Sequence, residues 1–363
     1  MRVHLLAGCA LAALTLAGAA SAQQVTAKAP FTVTINGDIR YMVGYYNDKT
    51  ANDSHVENGF DYRIGITAAA KADNGLEYGF YGRLRNDAAD ATYMDRKYIY
   101  LRGNWGTVRL GDMYGAASDT EVYVPDAGFL QDADVLSGSN TLVALGDYTV
   151  NFKDENHVGT KITYMSPVFS GFQAGLSYAP EATERGRNLL RNTVSTGGKD
   201  ANGYEDEIQI GAMYKGSFDG IGLLAGAGYI TANTLDSSLN DYRVWHVGAH
   251  VTYAGFTFGG HYFDNGESGT TKAAPIDTSH WGVGLNYSFG AWKVGGTYGH
   301  TYYDRKARGA KDWDTTIWSV GGTYQVAPGL AIQGDVLWFD SDAARSGAGN
   351  EGTLVAIRTQ LKF

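Results

Sequence analysis

The chain has 363 residues, with 49 Gly, 25 Tyr, 14 Phe and 7 Trp against 6 Pro, a formal net charge of -9 and a mean hydropathy of -0.24. That hydropathy excludes a helical membrane protein, because no window after the first 22 residues approaches the roughly 18 apolar residues that a spanning helix needs. The acidic balance argues against nucleic acid as a partner, since phosphate binding needs clustered Lys and Arg.

The first segment, MRVHLLAGCALAALTLAGAASAQQ, opens on Arg2, runs apolar from Leu5 to Leu16 and closes on Ala20-Ser21-Ala22. It reads as a secretory signal with an A-x-A-like site. Residues 1–22 are therefore expected to be removed, leaving 23–363 as one domain. Leu6-Ala7-Gly8-Cys9 also matches a bacterial lipoprotein box, but few apolar residues precede Cys9 and the run continues well beyond it. After cleavage no cysteine remains, so neither a disulfide framework nor a thiolate site is available.

From Phe31 onward the pattern has period 2. Phe31, Val33, Ile35, Ile39, Tyr41, Val43 and Tyr45 alternate with polar residues, and similar sets follow at Phe60–Ala68, Leu76–Leu84, Ile99/Leu101 and Val108/Leu110. After a long interruption the alternation resumes at Ile162 and continues to TLVAIRTQLKF, where Phe363 falls on the uncharged face. This predicts an all-β fold of about 16 strands, an even number as in single-chain bacterial barrels. Short turns, such as Asp73-Asn74-Gly75 and Ala254-Gly255, alternate with longer polar loops such as Asn47–Gly59 and Glu181–Tyr204. The prediction is a transmembrane antiparallel β-barrel addressed to the outer membrane, with lipid around it and aromatic residues at the strand ends. A soluble sandwich is the competing architecture; no propeller-length repeat is visible.

Three segments carry a resemblance. KYIYLRGNWGTVRLGD (Lys97–Asp112) contains WGTVRLG where Gram-negative general porins have an FGTVTLGR-like turn and strand; ITYMSPVFSGFQAGLSYAP (Ile162–Pro180) and the terminal Phe363 complete the match. The chain resembles that family, which implies a trimeric barrel of 16 strands passing small hydrophilic solutes and ions, with a third external loop folded inward. Gly37, Gly65, Ala68 and Gly82 would allow close packing in a homotrimer. The loop after Asp112 lacks the PEFGG-type motif of enterobacterial members, so details of the constriction do not carry over.

The long connection at about residues 113–158 is the expected constriction loop, because a structureless stretch of that length in a compact domain is usually functional or disordered. Its acids include Asp119, Glu121, Asp126, Asp132 and Asp134, against a lone Lys153, and Val122, Val124, Phe129 and Leu130 give it something to pack with. Counting along the strands, Arg40, Arg63, Arg83 and Arg96 fall at similar heights on the polar parity, with Arg85 just above and Arg109 below. Charges on the lipid face would cost about 2–4 kcal/mol each, so these arginines are expected inside the lumen. The expected arrangement is a basic wall facing the acidic loop, with weak cation selectivity.

Catalysis finds little support. His246 and His250 share one strand face but lie too far apart for one metal. Asp132-Ala-Asp134 fills only part of a calcium loop, and no GxSxG elbow occurs. No cofactor, metal site or enzyme activity is expected. Tyr81, Tyr98 and Tyr100 lie on the lumen parity and offer surfaces for sugar rings, so a saccharide-preferring pore stands as the alternative, with a barrel enzyme behind it.

Overall fold

The computed structural model describes residues 31–49, 55–86, 92–130, 158–182, 203–307, 309–342 and 349–363. Among them are sixteen strands: β1 (Thr32–Asp48), β2 (Val56–Lys71), β3 (Glu77–Asn86), β4 (Thr92–Gly103), β5 (Gly106–Met113), β6 (Gly159–Met165), β7 (Phe172–Glu181) and β8 (Tyr204–Phe218), then β9 (Ile221–Thr234), β10 (Tyr242–Tyr253), β11 (Phe256–Gly266), β12 (Ile276–Phe289), β13 (Trp292–Arg305), β14 (Trp313–Ala327), β15 (Leu330–Ser341) and β16 (Asn350–Lys362). One helical turn, α1 (Ala116–Asp119), follows β5. Each strand pairs antiparallel with its sequence neighbours, and β1 pairs with β16, so the sheet closes on itself. Closure leaves no unpaired edge, which is what a β-structure in hydrocarbon requires.

The short connections are built for tight reversal. Asp219-Gly220 and Ala254-Gly255 have positive φ at both positions, the geometry that matches a two-residue hairpin to the twist of its strands. These turns gather at one end of the barrel and the longer connections at the other.

The outside of the barrel is apolar. Ile35, Tyr41 and Val43 on β1, Trp245, Val247 and Val251 on β10, and Val355 and Ile357 on β16 are exposed, as lipid contact demands. Cross-strand aromatic pairs form two levels. Phe172–Tyr214, Phe256–Tyr287 and Trp292–Tyr324 stand at the short-turn end; Trp245–Tyr262, Trp281–Tyr298 and Tyr298–Trp318 stand toward the long loops. Two such levels fit the two interfaces of a bilayer.

The buried core lies inside the barrel. Met42, Ile317, Leu337, Phe339, Leu354 and Ala356 point inward and enclose Val124, Phe129 and Leu130 from the connection after β5. A second cluster joins Ala117 of α1 to Ala182, Tyr204, Ile230, Tyr242 and Val244. Two of the small residues considered for subunit packing serve other ends. Gly65 points to the lumen beside Asn36 and Tyr81, and Gly37 is covered by the ring of Phe363.

Candidate functional site

The six arginines singled out from the sequence stand on the lumen face of β1 to β5, but not in the level row that counting suggested. Arg63 lies directly across the ladder from Arg85, and Arg83 directly across from Arg96. Like charges opposite one another destabilise a sheet, and the wall itself supplies the counter-charges. Arg40 forks onto Asp38 (Nη2 to Oδ2 2.7 Å, Nε to Oδ1 3.0 Å) and reaches Asp61 at 3.6 Å. Arg63 donates to Asp61 at 3.2 Å. Arg83 binds Asp95 through two nitrogens, one at 2.9 Å, and Arg85 approaches the same carboxylate at 3.9 Å. Arg96 lies over the Tyr114 ring at 4.1 Å, a cation–π contact.

Asp38 and Asp61 were legible in principle, since each precedes its arginine by two residues and so shares its face. Asp95 was not. The ladder shifts between Arg83 and Leu84, which face Arg96 and Met94 respectively, leaving Asp95 as the extra residue of a β-bulge. A bulge breaks the strict alternation on which the counting relied.

Opposite this wall runs the connection after β5, residues 114–130. Ala116 N–H donates to Ser177 Oγ on β7 at 2.7 Å, and Thr120 Oγ1 to the Ala227 carbonyl on β9 at 3.2 Å. His250 Nε2 on β10 meets the Tyr123 carbonyl at 2.5 Å, and Asn286 Nδ2 on β12 donates to the Asp126 carbonyl at 2.6 Å. Thr323 Oγ1 on β14 donates to the Ala127 carbonyl at 2.7 Å. At the far end the Asp335 carboxylate on β15 accepts from Phe129 N–H at 2.5 Å and Leu130 N–H at 3.1 Å, and Arg358 on β16 covers the Phe129 ring at 4.5 Å. Lumen-facing glycines let the backbone lie this close. A Cβ on Gly226 would stand 2.0 Å from the Thr120 carbonyl oxygen, and one on Gly248 2.0 Å from that of Val122.

The loop acids divide. Asp119 pairs with Arg109, joining the acidic loop to the basic wall. Asp126 pairs with Lys293 of β13 at 2.9 Å. Glu121 lies partly buried between Thr120 and Val122, whose atoms contact the wall. Asp132 and Asp134 lie outside the described residues. The Asp119 side chain keeps 28% of its surface, yet burial among the atoms around α1 pushes its carboxyl above the usual range, with Arg109 opposing.

On the short-turn side of the segment the lumen opens into two cavities. One, of about 710 Å³, is lined by Arg40, Asp126, Lys293, Arg358, Gln360 and Lys362 among others. The other, of about 550 Å³, is lined by Tyr81, Tyr98, Tyr100, Arg102, Arg109 and Asp119 among others. Among the described residues no group of three potential metal ligands converges.

A hollow closed barrel of sixteen strands, charged inside and apolar outside, is the observation against which known proteins can be compared. A family model for Gram-negative porins matches residues 8–344. The chain belongs to the Gram-negative porin family. Outer membrane porin protein 32 of Delftia acidovorans is 30% identical over 184 residues, covering 47% of this porin and 48% of that protein, so the match spans about half the length of each. Among solved structures, Salmonella typhi OmpF in complex with daunomycin superposes with a TM-score of 0.66 at 17% identity, covering 92% of this porin and 98% of that chain. The anion-selective porin from Comamonas acidovorans gives 0.63 at 19% identity, covering 92% and 100%. At such identities the likeness is one of fold. The porin is an outer-membrane channel protein, and the resemblance read from Lys97–Asp112, Ile162–Pro180 and Phe363 agrees with the family match.

Proposed function

We propose that this porin passes small hydrophilic solutes and ions by passive diffusion, that its narrowest part lies between the arginines of β1 to β5 and the segment 114–130, and that it weakly prefers anions. The carrying observation is the pairing at that gap. At that gap Asp119 of the segment pairs with Arg109, while Asp126 pairs with Lys293. Six arginines, Arg40, Arg63, Arg83, Arg85, Arg96 and Arg109, stand with Asp38, Asp61, Asp95, Asp119 and Glu121. The balance tilts to positive, in place of the cation preference expected from loop composition. Charges lining a constriction set ion preference, and the anion-selective Comamonas acidovorans porin shares this fold. The reversal potential in a KCl gradient tests the reading: a chloride-favouring sign is expected, and a potassium-favouring one overturns it. A saccharide preference finds less support, because Arg109 and Arg102 lie over the Tyr98 and Tyr100 rings, at 5.7 Å and 5.4 Å, where a sugar would stack.

The porin is further proposed to form a homotrimer. Lys97, Asp112 and Thr160 meet on the outer face of β4, β5 and β6, with Thr160 Oγ1 donating to Asp112 at 2.6 Å. The Lys97–Asp112 step lies six ladder pairs from the Gly103–Gly106 turn, about 15 Å into the bilayer at the rise and tilt of barrel strands. Lipid-facing charge at that depth would cost about 2–4 kcal/mol; cover by a second subunit removes the cost. Light scattering on unheated protein in detergent tests the trimer, and a monomeric mass rejects it. Export by a signal cut after Ala22 completes the proposal, with Gln23 as the first residue found on N-terminal sequencing.

A further inference from the structure

The wall of the 710 Å³ cavity follows two neighbouring rows of the barrel ladder. Along one row Arg358 of β16 stands opposite Gln333 of β15, Gln333 opposite Thr323 of β14, and Thr323 opposite Lys293 of β13. In the next row Arg40 of β1 stands opposite Gln360 of β16, and Lys362 follows further toward the short turns. All of them line the cavity.

Charge is spread unevenly along this wall. At the β16 end Arg40, Arg358 and Lys362 gather around Asp38, which holds Arg40 by two bonds and stands opposite Lys362 in the ladder. Three cations against one acid leave two positive charges in excess; Asp61, at 3.6 Å from Arg40, is shared with Arg63. At the β13 end Lys293 is balanced by Asp126 at 2.9 Å. The two ends lie three strand spacings apart, about 14 Å between backbones, with the neutral Gln333 and Thr323 between them. The Arg358 guanidinium is already held in place, its Nε donating to Gln333 Oε1 at 2.7 Å and its face 4.5 Å from the Phe129 ring centre. A donor fixed in advance binds an anion at a lower ordering cost.

We propose that this cavity is a binding subsite for phosphate monoesters of small polyols, the phosphates of sugars and sugar alcohols. The phosphate dianion takes the β16 end, where Arg40, Arg358 and Lys362 supply the balancing charge and donors suited to its oxygens. The polyol lies toward β13, its hydroxyls donating to Asp126 and accepting from Lys293. A second anionic end in that place would meet the Asp126 carboxylate, which turns the site against dicarboxylates of similar length. The volume is in the range of about 300–1,000 Å³ usual for small-molecule sites. The inference rests on the reading of the lumen as an open diffusion path, and adds a station on that path where one class of solute pauses.

The test is block of open channels by sorbitol phosphate, added on both sides of planar bilayers holding the full porin in about 0.1 M KCl, where a Debye length of about 10 Å leaves the site charges effective. At about pH 7.5 the ester is largely dianionic, its second pKa being about 6. The half-blocking concentration is expected to be at least about tenfold lower than for succinate or inorganic phosphate, the factor that one or two added hydrogen bonds supply, and sorbitol should not block. Lys362→Gln and Arg358→Gln should each raise it about tenfold, the loss expected for one charged partner. Arg102→Gln, which removes the same charge from the tyrosine-lined cavity, should leave it unchanged. Ligand-observed NMR on wild-type porin in detergent, with sorbitol phosphate, succinate and inorganic phosphate as probes, should give the same ranking without conduction and without a variant. Equal block by succinate or inorganic phosphate, absence of binding in both measurements, or an unaltered half-blocking concentration in both variants would each overturn the subsite. A potassium-favouring reversal potential with block intact would instead reject the weak anion preference and leave the subsite standing.

Discussion

The ring of Phe363 occupies the space that a side chain at Gly37 would need: a Cβ there would stand 2.4 Å from the Cζ of that ring. The two residues also exchange backbone bonds, Gly37 N–H to Phe363 O at 2.8 Å and Phe363 N–H to Gly37 O at 3.1 Å, at the seam where the barrel closes. Gly37→Val and deletion of Phe363 are both expected to lower the yield of heat-modifiable barrel severalfold. Gly334→Val, whose Cβ would meet nothing nearer than 3.9 Å, should leave it unchanged. Equal yields of all three would show that the seam tolerates losing this contact.

Asp335 holds the far end of the inward segment through two backbone N–H groups. Asp335→Ala leaves both donors buried without their acceptor, a loss of about 3 kcal/mol. The segment should detach there, and liposome swelling with sugars of graded size should show a raised size limit. An unchanged limit would place the constriction elsewhere.

The glycines under the segment give a steric version of the same test. Gly226→Val and Gly248→Val each drive a Cβ into a segment carbonyl, whereas Gly222→Val, beyond the segment on the same face, meets Thr252 only at an ordinary 3.4 Å. The first two should alter single-channel conductance and the third should not, with insertion efficiency as the folding control.

The Asp119 carboxyl is pushed above the usual range by burial, against the pull of Arg109. Its folded pKa exceeds its unfolded one, so the ionised form is disfavoured by folding at neutral pH, and that cost is relieved as pH falls through the raised value. On the way the gap loses a negative charge. The reversal potential should therefore move toward anions on acidification before ordinary carboxylates titrate, and Asp119→Asn should show that shift already at neutral pH.

Asp95 serves both Arg83 and Arg85. Asp95→Asn should shift the reversal potential toward anions and Arg83→Gln toward cations, both effects shrinking at high salt as screening shortens. If neither variant moves it at low salt, these residues do not line the narrow part.

Period 2 made the strands and their outward faces readable, because lipid accepts only one kind of side chain along an entire face. The inner face obeys no such uniform rule. Ile230, Val244, Ile317, Leu337 and Leu354 point inward because Ala117, Val124, Phe129 and Leu130 need apolar ground, a demand visible in the loop's composition but not its destination. The arginines were found by parity. Their partners were missed because Asp95 sits on a bulge and because an acidic loop looked like the obvious counter-charge when the wall already held its own.

A cylinder whose wall is one strand thick bends easily across its width. The segment from α1 to Leu130 contacts every strand from β7 to β16, through Ser177, Gln209, Ala227, His250, Phe263, Asn286, Lys293, Thr323, Asp335 and Arg358 in turn. Mechanically that makes it a rib glued along more than half the circumference, stiffening the cross-section against ovalisation under lateral bilayer pressure. Loosening the rib should then broaden the distribution of open-channel currents even where the mean is preserved.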